Sequence, residues 1–233
     1  MNREAFEEMV LAFGVLAISV GLLLVVQSLS PGMFDKLTGR ATLETRVNVV
    51  GVIIIPCNTT LEPGWNLISL FCVKNGQTIA SALAPIDGEY VSVFEYEPGG
   101  AGTWHAYNPS LPVWTIQDLA TMSRFEGYWI YVPNETVYYN GNGSKRLQST
   151  IQIDPGWNLI GYPTNETRPV NFTIQTGTAN ITQVRAYNIS LPSFVFYPPT
   201  PATDAANTSL RDFTPYWGYW AYSNNSGAVS ITW

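Results

Sequence analysis

Few residues in this chain are able to do chemistry, and their types and spacing decide which chemistry is open. The single histidine, His105, stands beside Trp104. A Ser-His-Asp relay would have to use it, yet no serine lies in the Gly-x-Ser-x-Gly turn that exposes such a nucleophile. Asp87, Glu89, Glu95 and Glu97 crowd one strand and its flanks, with Asp118 and Glu126 nearby, so the facing carboxylates of glycoside hydrolysis are not expected. The glycine run at residues 98–102 is followed by Thr-Trp rather than by a helix and lysine, and reads as a hairpin loop instead of a phosphate cradle. Cys57 and Cys72 lie far from His105, which argues against a metal set. In an oxidising compartment they would close a loop of about 15 residues, worth about 3 kcal/mol in the chain-entropy treatment. No catalytic residue, metal or cofactor is expected, and the chain reads as a non-enzyme.

The chemistry written most densely is modification. Nine of the fifteen asparagines from position 58 onward begin Asn-x-Ser/Thr: Asn58, Asn134, Asn142, Asn165, Asn171, Asn180, Asn188, Asn207 and Asn224. N-glycans need exposed sites on an exported chain. The stretch between Thr59 and Pro133 carries none, so the face around residues 76–114 is expected to meet another subunit. Dense glycans on both halves in glycopeptide mass spectra would contradict this.

These sites need an exported scaffold, and the N-terminus supplies a root for one. Residues 9–26 are apolar without a charge, extend to about Leu29 and stop at Pro31-Gly32. At ~1.5 Å per residue, about 20 such residues cross a ~30 Å hydrocarbon core. The leader, Met1 to Glu8, is acidic rather than basic and no Ala-x-Ala follows, so the segment is expected to be retained. Glu4, Glu7 and Glu8 outweigh Arg3 while Lys36 and Arg40 lie beyond, which by the positive-inside rule tilts against an outward C-terminus; the sequons outweigh that tilt. The charged fraction is 12%, against ~25% typically, leaving solubility to hydroxyls, amides and sugar. A net charge of −6 and a pI near 4.7 exclude nucleic acid as a partner.

A motif written twice gives the architecture. Glu62-Pro-Gly-Trp-Asn-Leu-Ile returns at Asp154, Val93-Phe-Glu-Tyr96 at Val184-Arg-Ala-Tyr187, Trp104-His-Ala-Tyr107 at Phe194-Val-Phe-Tyr197, and Gly127-Tyr-Trp-Ile-Tyr131 at Gly218-Tyr-Trp-Ala-Tyr222. Matched blocks in constant order predict a mainly β fold: one N-terminal hydrophobic helix, then two homologous tandem β-sandwich or barrel-like units that pack together. The divisions are residues 1–40 (helix and stalk), 41–145 and 146–233. Residues 41–55 read as a strand or a bent strand pair joining the first unit's sheet, residues 78–83 and 116–122 as short helical turns, and residues 140–149 as a linker. Trp65/Trp157 and Trp129/Trp220 recur at fixed positions, as core residues do. Trp114, Trp217 and Trp233 fall outside the regular strand positions and are candidate ligand-facing aromatics, since exposed tryptophan faces stack on pyranose rings.

The series Pro-Gly-Trp-Asn-Leu-Ile, Trp-x-x-Tyr-x-Pro, Asp-Leu-x-x-Met and Gly-Tyr-Trp-Ile resembles a repeat of extracellular and cell-surface proteins of archaea and some bacteria. It fits residues 60–133 well. Residues 153–233 depart from it, with Ser209 in the place of Asp118, Phe194 of Trp104 and Ala221 of Ile130. The resemblance implies a secreted β building block and transfers no catalytic residue. An apolar helix before a β head also resembles archaeal pilins and archaellins, in which a glutamate stands near the mature start; Glu4, Glu7 or Glu8 would take that part, although no Lys/Arg-Gly cleavage site is written.

Two readings stand. In one, a glycosylated structural subunit on the extracellular face of a cell or virion membrane homo-oligomerises into a pilus-like filament or surface layer, its helix meeting lipid or neighbouring copies. In the other, a single-span anchor carries a glycan-binding module or an accessory subunit of a membrane complex.

Overall fold

The repeated motif folds as a turn locked by its own asparagine. Asn66 accepts a hydrogen bond from the Glu62 N–H (3.0 Å) and donates to the carbonyls of Glu62 (2.7 Å) and Gly64 (3.2 Å). Asn158 accepts from the Asp154 N–H (2.8 Å) and donates to Asp154 O (2.8 Å) and Gly156 O (3.0 Å). Both amides are buried, so these bonds satisfy side chain and turn together. Gly64 and Gly156 hold φ of +106° and +94°, a region that residues with a Cβ avoid.

The computed structural model describes residues 54–232 except Ala101, Val113, Trp114, Ile116, residues 145–147, Pro192, Ala206 and Asn207. The apolar run 9–29, residues 41–53, Trp114, Trp233 and the Asn207 sequon lie outside the described residues. Among the described residues no helix is long and apolar enough to cross a membrane.

The protein is mainly β. In the first half the order is β1 (Ile54–Leu61), β2 (Gly64–Ile68), β3 (Gln77–Thr78), α1 (Ile79–Ala82), a 3-10 turn (Ala84–Ile86), β4 (Ser92–Glu97), β5 (Thr103–Tyr107), β6 (Thr121–Met122), β7 (Tyr128–Val132) and β8 (Thr136–Ser144). The second half runs β9 (Gln148–Ile153), β10 (Gly156–Gly161), β11 (Arg168–Pro169), α2 (Val170–Thr173), β12 (Ile181–Asn188), β13 (Ser193–Tyr197), α3 (Pro201–Ala205), β14 (Asp212–Phe213), β15 (Gly218–Ser223) and β16 (Gly227–Thr232). Two antiparallel four-stranded sheets, ordered β2-β7-β4-β5 and β10-β15-β12-β13, share one strand order. Pairs β1/β8 and β3/β6 accompany the first sheet, β9/β16 and β11/β14 the second.

Three expectations change. The helical turn at residues 78–83 appears as α1, but Thr121–Met122 forms β6, whose register places Gln77 opposite Met122. Of the expected linker, residues 140–149, residues 140–144 end β8 and residues 148–149 begin β9, because both strands find partners. The described part of the expected strand 41–55 runs into β1, which pairs with β8 rather than joining the four-stranded sheet.

Strand alternation divides each sheet into a core face and an aromatic face. On β7, Tyr128, Ile130 and Val132 are buried while Trp129 and Tyr131 point the other way; on β15, Tyr219, Ala221 and Ser223 are buried opposite Trp220 and Tyr222. The first core joins Ile68, Val93 and Ile130 to Leu83, Ile86, Met122 and Tyr138. The second joins Ile160, Val184 and Ala221 to Val170, Leu210, Phe213 and Ile231. Each fully buried aliphatic side chain contributes about 1.5–3 kcal/mol.

Residues Ile55–Trp233 form one compact unit, and its halves meet by reciprocal backbone pairing. The Ser69 N–H donates to Tyr216 O (2.8 Å), and the Gly161 N–H to Phe125 O (2.8 Å). Isolated bridges join Ile68 to Trp217 and Ile160 to Glu126. Corresponding atoms thus bond in both directions, the pattern of an isologous contact built within one chain. Near this junction Ser69 Oγ donates to Trp217 O (2.9 Å) and accepts from the Tyr162 N–H (3.0 Å). Tyr216, at φ +67°, accepts from the Asn58 N–H (2.8 Å), donates to Pro56 O (3.1 Å) and lies 4.9 Å from the Phe71 ring. Cys57 and Cys72 stand at disulfide distance, Cα atoms 6.0 Å apart, beside this contact.

Candidate functional site

The aromatic faces of the two sheets come together instead of facing solvent separately. Trp129 of β7 meets Tyr187 of β12 (ring centroids 5.2 Å) and Phe194 of β13 (6.2 Å). In return, Trp220 of β15 meets Tyr96 of β4 (5.0 Å) and Trp104 of β5 (5.8 Å). Within each sheet the rings repeat the same geometry. Trp65–Trp129 and Trp157–Trp220 stand 6.5 and 6.3 Å apart, and Trp65–Tyr131 and Trp157–Tyr222 stand 5.3 and 5.2 Å apart. Edge-to-face arrangements of this kind add about 0.5–1.5 kcal/mol per pair beyond area burial.

Two cavities open on this layer and correspond position by position. The larger, about 520 Å³, is lined by Trp65, Phe94, Trp104 and Trp129 of one sheet and closed by Tyr187 of the other. The smaller, about 280 Å³, is lined by Trp157, Arg185, Phe194 and Trp220 and closed by Tyr96. They adjoin through the Trp104–Trp220 and Trp129–Phe194 ring contacts. Trp65 and Trp104 remain 40% and 49% exposed. Packing alone would have covered them, and an exposed apolar concavity is an informative departure from that.

The recurrent tryptophans therefore occupy the outward faces, not the core expected of them: strand parity puts Trp129 opposite Tyr128 and Ile130, and the fixed repeat position marks the contact between sheets. Trp217 is half-buried, bridges to Ile68 and packs against the second core. Of the sequon asparagines, Asn58, Asn134, Asn142, Asn171, Asn180 and Asn224 are exposed, and Asn165 and Asn188 are half-buried. None of them lines either aromatic cavity.

A carboxyl pair, unforeseen in sequence, lies in a third cleft of about 510 Å³ shared by both halves. Glu95 replaces the small inward residue that Ala186 supplies in the second sheet, and its carboxyl is hydrogen-bonded to Glu126. Glu126 in turn accepts from the Tyr128 hydroxyl (2.8 Å), which accepts from the Ser123 N–H (2.7 Å). Burial, then the Glu126 charge, pushes Glu95 up to about 8. Carboxyls within hydrogen-bonding reach of each other stand closer than the ~5 Å or more that separates glycosidase pairs. Nearby, His105 places Nδ1 3.0 Å from Asp118 and Nε2 3.0 Å from Glu97. Its bond to Glu97 chiefly, with Asp118, raises it above the ordinary histidine range. Asp118 also accepts from the Ala106 N–H (2.8 Å), the main cause of its lowered value. This ties β5 to the loop before β6.

The folded chain keeps the Glu95 proton that the unfolded chain releases, so stability falls as pH rises from about 4.5 to about 8 and levels off above. Allowing for partial solvent exposure, the loss is on the order of 2 kcal/mol. Urea unfolding at pH 5 and pH 9 checks this: Glu95→Gln should lose most of the difference, and an undiminished difference would place it elsewhere.

Protein-family models, curated proteins and solved structures were compared with the chain, and none matches.

Proposed function

We propose that the chain is a non-enzymatic, glycosylated extracellular protein, rooted by residues 9–29, in which two copies of one β module join to form a carbohydrate-binding aromatic cleft. The paired cavities carry this reading. Pyranose rings present apolar C–H faces that stack on tryptophan, and the larger cavity offers Trp65, Trp104 and Trp129 with two of them substantially exposed. Pockets that are mainly apolar and aromatic with few polar groups are the usual form of small-ligand sites. Sequon placement agrees, because the stretch between Thr59 and Pro133, free of acceptor sites, supplies four of the five residues lining that cavity. The duplicated strand order supports two copies of one module.

A glycan array probed with the full-length chain tests the reading. Binding to one class of oligosaccharide, in the low-millimolar to micromolar range, is expected; an array blank at millimolar protein-accessible sugar would remove it.

The uninterrupted apolar run favours a second reading, a structural subunit whose helices pack into a filament core or surface lattice. Electron microscopy of detergent-free native material separates the two arrangements of the helix. Regular filaments establish a polymer, whereas material that disperses only in detergent establishes a membrane anchor.

A further inference from the structure

The two cavities differ where their sequences differ, and the difference is one of charge. Phe94 in the larger cavity is matched by Arg185 in the smaller, at the same position of the repeated strand and on the same face. Its guanidinium lies 4.4 Å from the Trp157 ring centroid and 5.6 Å from that of Phe196, which sits opposite it on β13. Stacking holds the planar group in place and leaves its donors in the plane of the fork. Those donors are mostly unused. Nη2 reaches Gln183 Oε1 at 3.2 Å, while the enclosed Nε has no acceptor.

Among the described residues of the same half, Arg168 pairs with Glu166 and Arg211 with Asp204, each at 3.0 Å. Among the described residues no carboxylate pairs with Arg185. Glu97, next in sequence to Tyr96 of this cavity, is engaged by His105 Nε2 at 3.0 Å. A half-buried cation in an aromatic cavity without a counter-charge favours an anionic ligand, and a guanidinium fork fits a carboxylate in two-point geometry.

We infer that the smaller cavity takes an acidic sugar unit, a uronate whose carboxylate pairs with Arg185 while its ring stacks on Trp157 or Trp220, beside a neutral unit in the larger cavity. The inference rests on the carbohydrate reading above and narrows it to acidic polysaccharides with uronate and neutral units in succession. A phosphoryl or sulfate group would meet the same fork, but the aromatic rings flanking it favour a carboxylate carried directly on the stacked ring. An acidic peptide would offer a carboxylate without the pyranose faces.

Isothermal titration of the full-length glycosylated chain tests this with four probes. They are an alternating glucuronate/N-acetylglucosamine hexasaccharide, the same hexasaccharide with its carboxyls reduced to alcohols, a sulfated neutral hexasaccharide and an oligoglutamate. The uronate form should bind at least tenfold more tightly than the reduced form, with the preference shrinking as salt is raised. Arg185→Gln should bring the two affinities together by weakening the uronate form at least tenfold. Arg185→Phe, which installs the side chain of the matching position, should do the same and guards against a folding defect in the first variant.

An unchanged uronate preference in both variants overturns the assignment of Arg185, while continued binding of the reduced form leaves the cleft reading standing. Tighter binding of the sulfated probe or of oligoglutamate than of the uronate overturns the ligand class. Failure of every saccharide to bind overturns both inference and cleft.

Discussion

Replacing Gly218 with alanine should cost the folded part about 3 kcal/mol and lower its melting temperature by roughly 6–12 °C. A Cβ at this position would lie 2.6 Å from Ile68 O and 3.1 Å from Ile68 C, both backbone atoms. Ile68 ends β2 and bridges to Trp217, so it cannot retreat without opening the junction between the halves. A Cβ on Gly161 would meet a similar wall, 2.5 Å from Arg124 O and 2.6 Å from Glu126 O. Gly156→Ala provides the contrast. Its φ of +94° is unfavourable to alanine, yet nothing lies within 4 Å of the new methyl group, so a cost nearer 1 kcal/mol is expected. Calorimetry on the three proteins distinguishes close approach from backbone strain. Equal losses at Gly218 and Gly156 would mean that the junction yields easily and that the halves are not held at a fixed spacing.

Trp104→Ala should weaken carbohydrate binding about 10- to 100-fold, or about 1.4–2.8 kcal/mol, and leave stability nearly intact. Trp104 lies on β5, the edge strand of its sheet, and half of its surface is open. Its ring contacts are Tyr96 at 5.3 Å and Trp220 at 5.8 Å, so its removal enlarges the mouth between the two cavities without emptying either core. Trp129→Ala is less clean, because that ring touches Trp65, Tyr187 and Phe194 and joins the two sheets. Binding titrations paired with melting curves read both quantities. A loss of binding that tracks a loss of stability across the two variants would indicate a structural role for the rings.

The mainly β fold and the cysteine pair were legible in the chain because each rests on local spacing. Pro-Gly-Trp-Asn names its own turn: the glycine supplies the positive φ and the asparagine ties the turn back to Glu62 or Asp154. What sequence left hidden depends on register. Glu95 and Glu126 are separated by two strands of chain, and only the pairing of β4 with β7 brings the first toward the loop that holds the second. The side-chain contacts of Trp65 and Trp129 were likewise hidden. A fixed repeat position is equally the mark of a core residue and of a contact between repeats, and parity decides only when a buried neighbour such as Tyr128 is identified. One signal was available: Phe94 matched by Arg185 is hard to reconcile with a core position, since a lone buried cation is costly. Residues 140–149 read as a linker because glycine and asparagine dominate, but at residues 140–144 and 148–149 strand pairing with β1 and β16 overrides that composition.

The most direct test of the cleft is 19F NMR of the full-length glycosylated chain carrying 5-fluorotryptophan at its eight tryptophans, titrated with the uronate-containing hexasaccharide. The resonances of Trp65, Trp104, Trp129, Trp157 and Trp220 should shift together along one saturating curve while Trp217, packed against the second core, stays fixed. Shifts absent from all five at saturating saccharide, or confined to tryptophans away from the cleft, would contradict the account.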